Sequence, residues 1–296
     1  EDARNHLYQY VVGFARELHP DLILMENVPG MDARRRNSPS YMELARRDLE
    51  ELGYTVNIWP MEASAHGVPQ WRRRKMLVAA RDGHVPARPE TDYQDRSQRS
   101  FDPDALPPVT LDHAILDLPW VDADGGHAVM QKPPQDGEAD RRERFYLSRR
   151  GNFLRRNTSL LFNHRCRYHN ERDLELYALL EPGEDSAHAI ERYGRRDLMR
   201  YRADAFDDKY ARLRADQPCK TIVSHLAKDG NSYIHPFQVR SLTPREGARV
   251  QSFPDDFIFC GAPSDQWIQI GNAVPPLLAL QVADQFAKAL GVIDRS

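Results

Sequence analysis

Leu22-Ile23-Leu24-Met25, closed by Glu26-Asn27-Val28-Pro29-Gly30, is a continuous apolar run bounded by turn formers. A run this short reads as a strand buried on both faces, the habit of parallel sheets. Upstream, Leu7, Tyr10, Val11, Phe14 and Leu18 recur at helical spacing and predict a helix from a cap at Asp2 to about His19, ended by Pro20. Downstream, Ser38-Pro39 opens a second helix that Gly53 stops. Tyr54 to Trp59 alternates like a strand, and Met76 to Ala80 is a second buried run. Helix, strand, helix, strand, strand with short links predicts the later half of a doubly wound α/β sheet.

The character changes after residue 81. Residues 82–109 are rich in Pro, Asp, Arg and Ser and read as a long connection, and Asp112 to Leu118 suits one or two helical turns. The pattern from about 120 to 237 is irregular, with a helix over Glu171 to Leu180 as its clearest element. Order returns at Thr243-Pro244-Arg245-Glu246, which has the spacing of a capping box. An amphipathic helix follows from Pro276 to Leu290. The expected organisation is an α/β part over 1–118, a smaller irregular domain over 119–237, and a segment over 238–296 that returns to the first part.

Composition excludes several classes. Charged residues are 29% and hydrophobic ones 41% of the 296, which is a globular balance rather than a disordered one. No apolar run approaches the length of a membrane span, and the cysteine usage makes a reducing interior the default. Three cysteines, odd in number and widely spaced, suggest no disulfide framework. A net charge of −3 argues against a uniformly basic nucleic-acid binder. One local patch stands out: seven arginines between 141 and 156 face the single acid Glu143. They suit either a solvated loop or a phosphate contact.

Five blocks belong together: Met25 to Gly30, Gly67-Val68-Pro69-Gln70-Trp71-Arg72-Arg73-Arg74, Arg240-Ser241-Leu242-Thr243-Pro244-Arg245-Glu246, Gln251-Ser252-Phe253-Pro254-Asp255-Asp256-Phe257, and Gln269-Ile270-Gly271-Asn272-Ala273-Val274-Pro275-Pro276. In this order and spacing they resemble the cytosine-5 DNA methyltransferases. The resemblance implies a methyltransferase (Rossmann-like) sheet, present in part, and a target-recognition domain in the middle segment. It implies S-adenosyl-L-methionine as cofactor, duplex DNA as partner, a cytoplasmic, nucleoid-associated location, and DNA methylation within a restriction-modification system.

The chemistry explains the residue types. Cytosine carbon 5 is a poor nucleophile until a thiolate adds to carbon 6 while an acid serves ring nitrogen 3. A carboxyl at the mouth of an apolar strand suits that acid, and Glu26 stands where open α/β sheets bind ligands. By resemblance Glu26 is the catalytic carboxyl, Arg74 meets the base oxygen and Arg72 supports the loop. An extended chain would put Gln70, Arg72 and Arg74 on one face, with Gln70 toward DNA. Asn272 and Ala273 would lie beside the cofactor, Gly271-Asn272 allowing a left-handed turn. Thr221 falls on a threonine that supports a DNA backbone contact in relatives, and Lys209-Tyr210 precedes it in the same subgroup pattern.

His164, Cys166 and His169 have loosely metal-like spacing but lack a fourth ligand, so no metal is expected. Pro218-Cys219 looks like half of the family's Pro-Cys-Gln, yet it precedes Thr221, where family order does not place the nucleophile. The glycine-rich cofactor loop and the nucleophile would precede Asp2, which implies a chain inactive alone. The missing part would be a truncated amino-terminal segment or a separate polypeptide, making this the specificity subunit of a split enzyme. A non-catalytic DNA-binding module is the third reading.

Overall fold

The computed structural model describes residues 6–27, 39–95, 102–131, 159–199, 210–226 and 230–293. In chain order the elements are α1 (Tyr8–Leu18), β1 (Leu22–Asn27), α2 (Tyr41–Glu51), β2 (Thr55–Glu62), β3 (Arg73–Ala80), α3 (Leu111–Ile115), β4 (Gly126–Gln131), β5 (Leu160–Arg165), α4 (Glu171–Leu179), α5 (Ser186–Tyr193), α6 (Pro244–Val250), α7 (Pro263–Asn272) and α8 (Pro276–Ala289). The mixed α/β class matches the expectation. The chain divides into two compact units, one built from residues 1–66, 72–105 and 278–296, the other from 67–71 and 106–277.

In the first unit β3 lies between β1 and β2 and runs antiparallel to both. The two outer strands therefore share a direction, and no parallel pair involves β1 among the described residues. Leu22–Met25 is not buried on both faces either: Leu24 is 46% exposed. The cause is position, since β1 is an edge of this three-stranded sheet while β3 is its centre. Met76, Leu77, Val78, Ala79 and Ala80 of β3 are buried.

Helix α2 begins where Ser40 caps it, accepting from Glu43 N at 3.2 Å while Glu43 Oε2 accepts from Ser40 N at 2.9 Å. This start is two residues beyond the expected Ser38-Pro39 signal, whose serine lies outside the described residues. Gly53, at φ 89°, turns the chain out as expected.

Helix α1 forms where the spacing placed it but presents the other face. Tyr8, Val12 and Ala15 pack against Tyr41, Met42, Ala45, Leu49 and Leu77. Of the stripe read as core, Leu7, Tyr10, Phe14 and Leu18 are exposed, while Val11 is half-buried and packs against this cluster. Both faces are apolar, so periodicity could not choose between them, and the face with the small Ala15 allows the closer approach to α2. The expected cap Asp2 lies outside the described residues. From Leu278 onward α8 completes this unit, burying Leu278 and Val282. Gln281 exchanges two bonds of 2.9 Å with His66, through its ring nitrogen Nδ1 and its carbonyl.

In the second unit β4 and β5 pair antiparallel from Gly126↔Arg165 to Gln131↔Leu160. One apolar cluster joins Leu111, Ile115 and Leu161 to Ile222, Phe253, Trp267 and Ile270, and a second gathers Leu176, Tyr177, Ala189, Tyr210 and Ile234 around α4 and α5. Residues 106–118 and 238–277 thus pack with the middle segment, which moves both expected boundaries. The reason is the burial of α6 against α3 and β5, with α7 packed on α6.

Three arginines, two of one motif and Arg249 just beyond it, build this interior. Arg240 is bidentate to Glu246 at 2.7 and 2.8 Å, Arg249 bridges Asp117 and Asp255, and Arg245 donates to the carbonyls of Phe162, Pro254 and Phe257. Glu246 also completes the expected capping box, accepting from Thr243 N at 2.7 Å. The arginine-rich segment 141–156, Lys209 and Val28-Pro29-Gly30 lie outside the described residues.

Candidate active site

Glu26 is the penultimate residue of β1 and pairs with Met76 of β3. Arg74 lies two residues before Met76, so the strand period puts Arg74 and Glu26 on one face as diagonal neighbours. Arg74 Nε meets Glu26 Oε1 at 2.7 Å, with side chains 9% and 26% exposed. Arg74 Nη1 also donates to the Arg73 carbonyl at 2.7 Å. Burial lowers the Arg74 pKa from its ordinary value, and the Glu26 carboxylate works against that shift. A carboxyl and a guanidinium thus converge at the mouth of a strand, half shielded from water.

Burial alternates along the motif that delivers Arg74. Gln70, Arg72 and Arg74 are buried, while Trp71 is half-buried and Arg73 exposed. Glu62, at the end of β2, anchors the segment: Oε1 accepts from the Arg72 backbone at 3.0 Å and Oε2 from Arg73 Nε at 3.3 Å. The Ala63 amide donates to the Arg72 carbonyl at 2.9 Å. Sequence reasoning passed over Glu62, whose only signal was an acid ending a strand rich in apolar residues.

The remaining candidates lie in the second unit. Gln70, expected to face DNA, is fully enclosed. Its Oε1 accepts from Ile222 N at 2.7 Å and its Nε2 donates to Gln251 Oε1 at 2.9 Å. Both ends of the amide are spent inside the protein, so a direct DNA contact does not fit this residue. Thr221 Oγ1 donates to the Trp71 carbonyl at 2.6 Å and stays half-buried.

Asn272 ends α7 with its side chain exposed, and Ala273 follows in an extended conformation. An exposed carboxamide, donor and acceptor at once, fits the zwitterionic end of the expected cofactor. Gly271 does not form the left-handed turn expected of it. It is helical and exists for close approach: an added Cβ would stand 2.3 Å from Ser224 N.

The cysteines take other roles. Cys219 is buried, its thiol pushed up to about 12 by that burial, and its carbonyl accepts from Trp71 N at 2.8 Å. Cys166 is buried with its thiol raised for the same reason, and Cys260 is exposed. All three fall in the second unit, and the unit holding Glu26 and Arg74 contains no cysteine. His164 is engaged at both ring nitrogens, by Thr243 Oγ1 at 2.9 Å and the Pro119 carbonyl at 2.8 Å. It braces the cap of α6.

Residues 1–288 match the family model described as C-5 cytosine-specific DNA methylase. The type II methyltransferase M.AgeI of Thalassovita gelatinovora is 31% identical, over 98% of this chain and 79% of its own length. M.DdeI of Desulfomicrobium norvegicum is 29% identical, over 97% of this chain and 68% of its own length. A solved prophage-encoded candidate DNA modification methyltransferase of E. coli superposes with a TM-score of 0.68 at 24% identity, over 98% of this chain and 76% of that one. That last likeness speaks to the fold. No described helix is long and apolar enough to cross a membrane.

Proposed function

The chain belongs to the C-5 cytosine-specific DNA methylases, and from that premise we propose that it grips the target base in a type II modification enzyme. In this reading a cytosine swung out of duplex DNA is methylated at carbon 5. The Glu26–Arg74 pair at 2.7 Å is the observation that carries it. A carboxyl can serve ring nitrogen 3 and accept from the exocyclic amine, while a guanidinium donates to the ring carbonyl. Arg72, buried and tied through its backbone to Glu62, holds the loop that aims Arg74. Thr221 supports the DNA backbone contact.

S-adenosyl-L-methionine supplies the methyl group when bound, and Asn272 with Ala273 would hold it. The thiolate that adds to carbon 6 is assigned to polypeptide other than residues 1–296, in the same chain or in a partner. The supporting observation is that the unit of Glu26 and Arg74 has no cysteine and that Cys219 keeps its proton at neutral pH. Retention of a paired carboxyl and guanidinium favours this reading over a binding module without chemistry.

The test is covalent trapping. Residues 1–296 alone should form no adduct with a 5-fluorocytosine duplex, whereas the complete enzyme containing them should. Glu26→Gln in that enzyme should lower kcat on the order of 10²-fold or more, with DNA binding kept. An adduct on Cys219, or full activity of Glu26→Gln, would overturn the assignment.

A further inference from the structure

Two buried glutamines link the segment that carries Thr221 to the helix that ends in Asn272. Gln70 Oε1 accepts from Ile222 N at 2.7 Å, Gln70 Nε2 donates to Gln251 Oε1 at 2.9 Å, and Gln251 Nε2 donates to the Ile270 carbonyl at 2.6 Å. Both side chains are fully buried. The direction of the chain is fixed at its ends, because a backbone N–H can only donate and a carbonyl can only accept. Turning either amide over would set donor against donor or acceptor against acceptor in a site closed to water.

Each end meets a part of the expected machinery. Thr221 adjoins Ile222 and donates to the Trp71 carbonyl, while Trp71 N donates to the Cys219 carbonyl and Cys219 N to the Pro69 carbonyl. Residues 69–71 and 219–221 are therefore stitched together along the backbone. At the far end Ile270 is in the last turn of α7, where its carbonyl accepts a long 3.4 Å bond from Ala273 N beside the 2.6 Å bond from Gln251. Gln251 serves that carbonyl two residues before Asn272. Gly271 closes the loop by lying against the Val223 and Ser224 backbone, where a Cβ would stand 2.3 to 2.6 Å from three backbone atoms.

We propose that Gln70 and Gln251 are positioning residues that couple cofactor occupancy at Asn272 to DNA binding through the Thr221 segment. The proposal rests on the function given above and extends it. A ligand that fixes the end of α7 fixes the Ile270 carbonyl. The two amides and the Gly271 contact then hold residues 219–224 in the arrangement that meets DNA. The coupling is reciprocal, so DNA also tightens the cofactor.

The experiment uses the complete enzyme, a duplex containing the site that bisulfite sequencing of modified DNA identifies, and S-adenosylhomocysteine as the cofactor-site probe. The wild type should bind the duplex at least about fivefold more tightly with the probe present. Gln251→Met should cut that enhancement to less than about twofold, while each single-ligand Kd moves by less than about threefold. Gln251→Glu supplies the control for folding. A protonated carboxyl has the acceptor and donor of an amide, whereas a carboxylate faces the Ile270 carbonyl with no proton. Its enhancement should thus match wild type at pH 6 and be lost at pH 8.5, with the wild type measured at both.

Enhancement that survives in Gln251→Met, or that is absent from the wild type, overturns the coupling. So does Gln251→Glu behaving alike at both pH values relative to wild type. Failure of the underlying function is separate: it would appear as absence of methyl transfer by the wild-type enzyme, whatever the binding data.

Discussion

The proposed role asks of Arg74 two things that a lysine cannot do together: satisfy Glu26 through Nε, as it does here, and present further N–H groups in a fixed plane. Arg74→Lys keeps the charge beside Glu26, so melting should change little while kcat falls on the order of 10²-fold, a split that steady-state kinetics and calorimetry together would read. Cys219→Ala should leave methyl transfer within about twofold, because a buried thiol pushed up to about 12 is not a thiolate at neutral pH. Iodoacetamide should label Cys260 alone among the three cysteines of the folded protein. Labelling of native Cys219 would contradict its burial. At this scale the sequence pointed to Glu26 and Arg74 through their blocks, and the structure brings their side chains together. It misdirected for Gln70, because strand alternation says which residues share a face and not whether that face meets water.

Helix α6 concentrates charge where helices rarely carry it, on residues closed to solvent. Removing one partner of the Arg240–Glu246 pair leaves the other buried and uncompensated, so Glu246→Gln should cost about 3–5 kcal/mol in urea unfolding. Histidines around it set a pH dependence. Burial lowers His235 and His169 to about 4, and His164 is lowered as well. Below pH 6.5 the unfolded chain takes up protons at these rings that the native state refuses, so stability is full above that pH and declines toward pH 4. Unfolding midpoints at pH 7.5, 6 and 5 should fall in that order. A midpoint that rose on acidification would reverse the sign of these shifts. Elements with local signals, such as the Thr243 cap and the helix after Asn170, were legible in advance. The burial of Arg240, Arg245 and Arg249 was not, since arginine reads as surface until its partners are known.

Across the molecule, the two units are assembled from interrupted stretches of chain, which no local pattern could announce. Spacing alone also left the docking of α1 undecided, and its outcome has a measurable effect. Leu7, Tyr10, Phe14 and Leu18 of that segment are exposed, as is Leu24 of β1. Residues 1–296 should therefore bind a hydrophobic dye while still folded, below the melting temperature, and Phe14→Glu with Leu18→Lys should reduce the dye signal without lowering Tm. Dye binding unchanged by the pair would place the apolar surface elsewhere.

The bonds between Gln281 and His66 tie the last helix to a turn made some two hundred residues earlier in synthesis. A ribosome therefore finishes the whole second unit before it releases the piece that completes the first. Nascent chains arrested after Leu277 should resist protease across 106–131, 159–199 and 230–277 and be cut readily within 6–27, 39–66 and 72–95, with protection of the latter arriving only once α8 emerges.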